Sequence, residues 1–384
     1  MPVQLMSCRY ESLTHCLMGY QKTGVHLIGF NGQELVPGFI ADDFGLYYII
    51  PKLVTSFGIS LDTALPLFFY GLSGLSFLIG LTGFFFLYRL WLERLVAFTG
   101  LALLIYLNTR FRDVYQLYTV TALTCIPWIL YFAQRKIKLS FFIFSFLAGM
   151  FIGTAHYIRM HSGTAVLIFF CILVVTYVKD SWWKKVALMS CLFFGLSLAV
   201  LHFRSVFHAY TVCAEQHFPK ESKQCQSHHQ IWHSLYIGFG FLNSPFGIQY
   251  DDSVAHKKVM AIDPTISVTD PYPSPASEKI LRSELFSLFK RQPIFVIHTI
   301  FAKLGILLFY FLLFANFGVV ASFFYPLPWQ IRLAFLGALC FNSLFVILVM
   351  PFFYYMLGFF TCSTLFGIAS INNALEHWWH KKKK

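Results

Sequence analysis

Polar and apolar positions in this chain come in blocks. Nine apolar runs, Leu65–Tyr88, Leu95–Asn108, Leu117–Ala133, Phe141–Ala155, Thr164–Val178, Val186–Phe203, Thr299–Tyr325, Leu333–Met350 and Phe352–Ile371, are separated by polar connections. Crossing roughly 30 Å of hydrocarbon takes about 20 residues, fewer when flanking side chains snorkel. The second and fourth runs are short and would be the first to fail. The runs lack the polar face at helical spacing that marks a soluble helix, and in lipid a backbone must satisfy its own hydrogen bonds. The pattern therefore predicts an all-α integral membrane protein, a multi-span helical bundle of about nine spans. Along the chain it divides into an outer segment 1–43 with an acidic motif, a juxtamembrane helix 44–64, six spans over 65–203, a non-cytoplasmic loop or lid 204–298, three spans over 299–372 and a basic tail 373–384.

Composition agrees with the blocks. Of 384 residues 57% are hydrophobic and only 12% charged, whereas a soluble domain carries about 25% charged residues. The net charge of +12 would suggest nucleic acid if it were clustered on a soluble face. Instead it follows the spans. One set of connections holds Arg89, Arg94, Arg135, Lys136, Lys138, Lys179, Lys184, Lys185, Arg332 and Lys381 to Lys384, while the opposite short loops hold only Arg110, Arg112 and Arg159. By the positive-inside rule the first set is cytoplasmic. The basic balance records membrane insertion, and no nucleic-acid partner is expected. The terminal lysines read as a topogenic anchor of a bacterial cytoplasmic membrane with the C-terminus inside, or in a eukaryote as a retrieval signal of the endoplasmic reticulum. Residues 1–43 hold neither a spanning run nor a signal peptide, so either this short tail is carried across the membrane or, as is expected in preference, a preceding span lies outside this sequence.

The non-cytoplasmic face holds the unusual polar residues. Asp42 and Asp43 stand just before an aromatic stretch, Phe44–Val54, suited to the membrane interface. Either could cap the helix starting at Phe44. A carboxylate at that depth, beside apolar surface, has a raised pKa and can take a proton from a hydroxyl, and a pair invites a divalent cation or an arginine. Candidate partners are Arg110, Arg112, Asp113 and Tyr115 in one short loop and His156, Arg159 and His161 in another. Arginine there suits phosphate oxygens.

In the long connection, Cys213 and Cys225 stand twelve residues apart and could close a disulfide. His229 and His233 lie one helical turn apart, but Gln230 stands where a zinc peptidase needs glutamate, so the metal content is left open. Trp232 and Tyr236 flank His233, where aromatic rings can pack against the membrane or bind a ligand. Asp251 and Asp252 read as a turn or helix cap. Three prolines between Pro271 and Pro275 lead into a helix, Glu278–Lys290, capped by Ser277 and lying along the membrane surface.

At Ala41-Asp42-Asp43-Phe44-Gly45-Leu46-Tyr47-Tyr48, with the acid and arginines from Arg110 to Tyr115 and a long later outer loop, the chain resembles the GT-C superfamily of polytopic membrane glycosyltransferases. The resemblance implies a polyprenyl-phosphate sugar donor and a lipid or glycan acceptor among the membrane lipids. It implies Asp42 or Asp43 as base, Asp113 as the second-loop acid, and Arg110, Arg112, Arg159 and His161 on the donor phosphate. His233, Trp232 and Tyr236 would contact the substrate. No cofactor is certain and a divalent cation is allowed. Two other functions compete: a lipid-linked glycan ligase or polymerase, and a transporter or flippase. The last should show ionisable groups at mid-membrane, where Asn316, Asn342 and Lys303 are the few candidates.

Overall fold

The computed structural model describes residues 7–38, 43–111, 113–218, 231–243, 246–264, 266 and 274–382. The first segment, which holds no spanning run, is folded. Helix α1 (Ser7–Thr23) leads into a hairpin of β1 (Ile28–Phe30) and β2 (Leu35–Pro37), with Gly29 opposite Val36. The connection turns on Gly32, at φ 99°, a value glycine adopts without steric cost. Asn31 Oδ1 accepts from the N–H groups of Gln33 and Glu34, each at 2.9 Å. Leu13, Cys16, Leu27 and Ile28 are buried and pack with Leu46, Tyr47 and Ile50 of α2 (Phe44–Phe57). That helix was expected to lie in the lipid interface. It buries half of its residues against protein and ends on Gly58 in the left-handed conformation, φ 61°.

The bundle proper comprises α3 (Leu61–Leu87), α4 (Trp91–Phe111), α5 (Gln116–Ala133), α6 (Leu139–Ile158), α7 (Thr164–Thr176) and α8 (Trp182–His217). After an outer group of α9 (Ile231–Gly238), α10 (Asp252–Ile262) and α11 (Pro275–Arg291) it resumes with α12 (Pro293–Phe324), α13 (Trp329–Leu348) and α14 (Leu357–Lys382). Each of the nine expected spans falls on one of these bundle helices.

Seven of them, all but α7 and α14, are long and apolar enough to cross a membrane. The second and fourth, flagged as short, reach 21 and 20 residues. The weak one is α7: its 13 residues rise only about 20 Å at 1.5 Å each. Helix α14 departs for another reason. It packs against α4, α5, α12 and α13, and buries Thr361, Ser363, Thr364, Ser370 and Asn372. A helix surrounded by protein can carry hydroxyls if they are bonded: Thr361 and Thr119 share a hydrogen bond of 2.9 Å, and Ser363 donates to the Phe359 carbonyl at 2.8 Å. Helix α12 is the converse, presenting Phe301, Leu308, Phe309 and Phe317 outward.

Helices α6 and α8 touch backbone to backbone. A Cβ at Gly149 would meet the Leu192 carbonyl, and one at Gly195 the Phe146 carbonyl. Ser145, Gly149 and Gly153 recur at helical spacing on α6 and let Leu192, Gly195 and Ala199 of α8 approach. This crossing fixes the end of α6, and with it Arg159.

Candidate functional site

Four chain segments meet at one end of the bundle. Asp43 precedes α2, Asp113 lies between α4 and α5, Arg159 follows α6, and Arg9 comes from α1. Arg9 Nε donates to Asp43 Oδ2 at 2.8 Å, and its Nη1 donates to both oxygens of Asp113 at 3.1 Å. Arg159 Nη1 donates to Asp43 Oδ1 at 3.2 Å and its Nη2 to the Tyr115 hydroxyl at 3.2 Å. Of the four charged groups three are buried, Asp43 at 0% exposure, Arg9 at 5% and Asp113 at 8%, and Arg159 is half-buried.

The simple reading of Asp43 as a helix cap does not hold. It occupies the cap position of α2, but its side chain bonds no backbone N–H there, because both oxygens are held by guanidiniums. Burial raises the Asp113 carboxyl above the usual aspartate range, and Arg9 and the Val114 N–H only partly oppose this. Burial alone would lower the pKa of Arg9, but the carboxylates of Asp43 and Asp113 more than reverse it.

Tyrosines wall the cluster. The Arg159 guanidinium lies 4.4 Å from the centre of the Tyr115 ring. Tyr115 in turn contacts Tyr354 at 4.8 Å and Tyr355 at 5.1 Å between ring centres. The Tyr355 and Tyr250 hydroxyls are 3.4 Å apart, which links the membrane edge to the outer helices. Burial pushes Tyr250 and Tyr354 up to about 12, so both are neutral hydrogen-bonding phenols.

Of the residues singled out from the sequence, Asp43, Asp113 and Arg159 are brought together. Arg110 is not: it is exposed and lies against Tyr106 of its own helix. Asp42 and Arg112 lie outside the described residues. His161 takes a left-handed backbone, φ 64°, and its ring sits 5.5 Å from that of His156 and near Phe341 and Phe345. Arg9, Tyr250, Tyr354 and Tyr355 were missed.

His233, Trp232 and Tyr236 belong to the outer helices. His233 and Tyr236 are buried, and His233 Nε2 meets Asp252 Oδ1 at 2.8 Å. That bond, with His233 as its cause, lowers the Asp252 pKa. Trp232 lies beside Phe286, with the Arg282 guanidinium 5.3 Å from its ring centre. The three are thus parts of a small core shared by α9, α10 and α11. Helix α11, expected along the membrane, turns Leu281, Leu285 and Leu288 into that core. Its cap is Ser274, in a capping box with Ser277, since Pro275 starts the helix one turn earlier than Ser277 would. Asp251 caps α10 as expected, accepting from the Ser253 N–H. Cys213 Sγ lies 3.6 Å from His217 Nδ1. Its anticipated partner Cys225 lies outside the described residues, as does His229.

Glu278 organises this outer core. Its two oxygens accept from the backbone N–H groups of Trp232 and His233, at 2.9 and 2.7 Å, capping α9 from α11. Glu278→Ala is expected to cost about 0.5–2 kcal/mol locally, read as faster amide hydrogen exchange at Trp232 and His233 with exchange in α5 unchanged.

Among the described residues no three His, Cys, Asp or Glu side chains converge to hold a metal ion. The counter-charge of Asp43 and Asp113 comes from arginine. No protein family, curated protein or solved structure matches this chain.

Proposed function

We propose that the chain is a membrane glycosyltransferase that moves a sugar from a polyprenyl-phosphate donor to a hydroxyl of a lipid or glycan acceptor, at the membrane edge where Arg9, Asp43, Asp113 and Arg159 meet. The observation that carries this reading is the convergence of two buried carboxylates and two guanidiniums from four segments beside the span ends. Such a cluster suits a phosphorylated lipid whose tail stays in the bilayer.

The chemistry follows from competition for arginine. A donor phosphate draws Arg9 and Arg159 away from Asp43, because charge-assisted bonds to phosphate form as readily as those to carboxylate. The released carboxylate, enclosed by protein, then accepts the proton of the acceptor hydroxyl. The acceptor oxygen bonds to the anomeric carbon, the bond from that carbon to the phosphate oxygen breaks, and the lipid phosphate leaves with the bonding pair on its oxygen, its negative charge stabilised by the arginines. One displacement inverts the anomeric centre.

Sugar transfer by the purified protein from a polyprenyl-phosphate sugar tests this. Asp43→Asn and Arg159→Gln are each expected to lower turnover by about 10²–10⁴-fold. Unchanged turnover in both, with the proteins still folded, would sink the assignment.

A further inference from the structure

At the opposite end of the bundle, the α3–α4 turn, the α5–α6 turn and the last turns of α14 enclose a cavity of about 800 Å³. A second space of about 310 Å³ adjoins it, with Leu87, Tyr88, Gln134 and Glu376 lining both. These volumes match sites for small organic ligands.

The larger wall carries both signs of charge, Arg89 and Arg135 with Glu93 and Glu376, beside Tyr131 and Trp379. Among the described residues no ion pair within 4.0 Å joins these four groups to one another or to another arginine, lysine or carboxylate, and Arg94 acts on Glu93 only from further off. Glu93 uses Oε2 to accept from the Arg89 and Leu90 N–H groups, at 3.0 and 2.9 Å. The ionic contact of Glu376 is to His380, at 4.0 Å. The Arg135 guanidinium lies 4.0 Å from the centre of the Tyr131 ring.

Depth narrows the occupant further. Trp91, Trp182, Trp183, Trp329 and Trp378 are exposed at this end, and tryptophan concentrates at the headgroup level. The cavity rim adds Phe86, Leu87 and Leu90, an apolar border for acyl chains. An occupant with an anion, a hydrogen-bonding cation and a tail satisfies all three features.

We propose that this cavity binds the headgroup of an ethanolamine phospholipid, with its phosphate on Arg89 and Arg135 and its ammonium on Glu93 and Glu376. The ammonium can donate hydrogen bonds to the carboxylates, which the trimethylated nitrogen of a choline headgroup cannot. The site lies away from the Arg9–Asp43 cluster and does not depend on the glycosyltransferase reading.

The test uses the full chain in lipid discs of phosphatidylcholine, with phosphatidylethanolamine of the same acyl chains replacing part of it. The wild-type Tm should rise with the ethanolamine lipid, and native mass spectrometry should show it retained over the choline lipid. Glu376→Gln should abolish the preference, and Arg135→Gln should weaken retention of both lipids; both positions are exposed, so the fold should tolerate the changes. Equal Tm in the two lipids, or a preference that survives in both variants, would overturn the proposal. Equal stabilisation in detergent by free phosphoethanolamine would overturn the lipid as the source.

Discussion

Asp43→Asn is expected to lower stability by about 3–5 kcal/mol, the range for removing one partner of a buried ion pair. Asp43 is fully buried and holds both Arg9 and Arg159. With Asp113 the described cluster has two positive and two negative groups, so one lost carboxylate leaves a buried positive charge. Asparagine fills the space but offers one neutral acceptor to two guanidiniums. Adding Arg9→Met returns the remainder to balance, Arg159 against Asp113. The double variant should therefore be more stable than the sum of the single effects by about 0.5–3 kcal/mol. Thermal unfolding of the four proteins in one detergent completes the cycle, and simple additivity would show that Arg9 and Asp43 do not act through each other.

The same substitution changes pH dependence with a definite sign. Asp113 is raised in the folded state, by burial first and also by the neighbouring Asp43 charge. A carboxyl with a raised folded pKa binds its proton more tightly when folded. Its contribution is full below the ordinary aspartate pKa and is lost as pH rises through the raised value. Removing the Asp43 charge lowers that folded pKa and narrows the window of loss. The acid side of the stability profile should then be flatter in Asp43→Asn than in the wild type.

How much of this was legible in the sequence depended on the kind of signal. Long apolar runs announce themselves, and all nine expected spans lie on helices. The run ending at Ile371 was legible as a helix, but the sequence does not say which faces meet lipid and which meet protein. Its Thr361, Ser363 and Ser370 are what marks α14 as internal. Asp43, Asp113 and Arg159 stood out because charge at a span end is scarce on that side. Arg9 did not, because it stands in a polar stretch beside Glu11 where one more charge carries no signal. Only the fold of α1 and its hairpin shows that this arginine is buried. Tyr354 and Tyr355 were hidden for the opposite reason: among 20 tyrosines and 46 phenylalanines, two more aromatic rings are unremarked. The outer helices were ambiguous in a third way. His233 and Trp232 look like ligand contacts in a polar segment, yet a small core also needs a buried histidine with a carboxylate partner, and Asp252 supplies it.

Lys303→Met is expected to undock the outer helices from the bundle. Lys303 lies inside the apolar helix α12 at 1% exposure. Its Nζ donates to three carbonyl oxygens, those of Gly238 at 2.8 Å, Ile347 at 3.0 Å and Val349 at 2.8 Å. Gly238 ends α9, and Ile347 and Val349 flank the end of α13, so the ammonium closes two helix C-termini whose last carbonyls have no partner in their own helix. The approach is close enough that a Cβ at Gly238 would meet the Leu348 and Val349 carbonyls. Methionine preserves the stem but removes every donor, and three carbonyl dipoles are left facing one another out of reach of water. Hydrogen bonds to a charged group contribute about 1.5–3 kcal/mol each and are not additive, so a total loss of about 3–5 kcal/mol is expected. Hydrogen exchange separates a local tether from a general one. Amides of α9 and α10 should lose protection while those of α3 and α5 keep theirs, and retained protection in α9 would show that the outer helices are held by other contacts. Loss of the tether also moves Tyr250, which reaches Tyr355 from the outer side. On the glycosyltransferase reading proposed above, sugar transfer should therefore fall in Lys303→Met although the substitution lies on a different helix from Arg9, Asp43, Asp113 and Arg159.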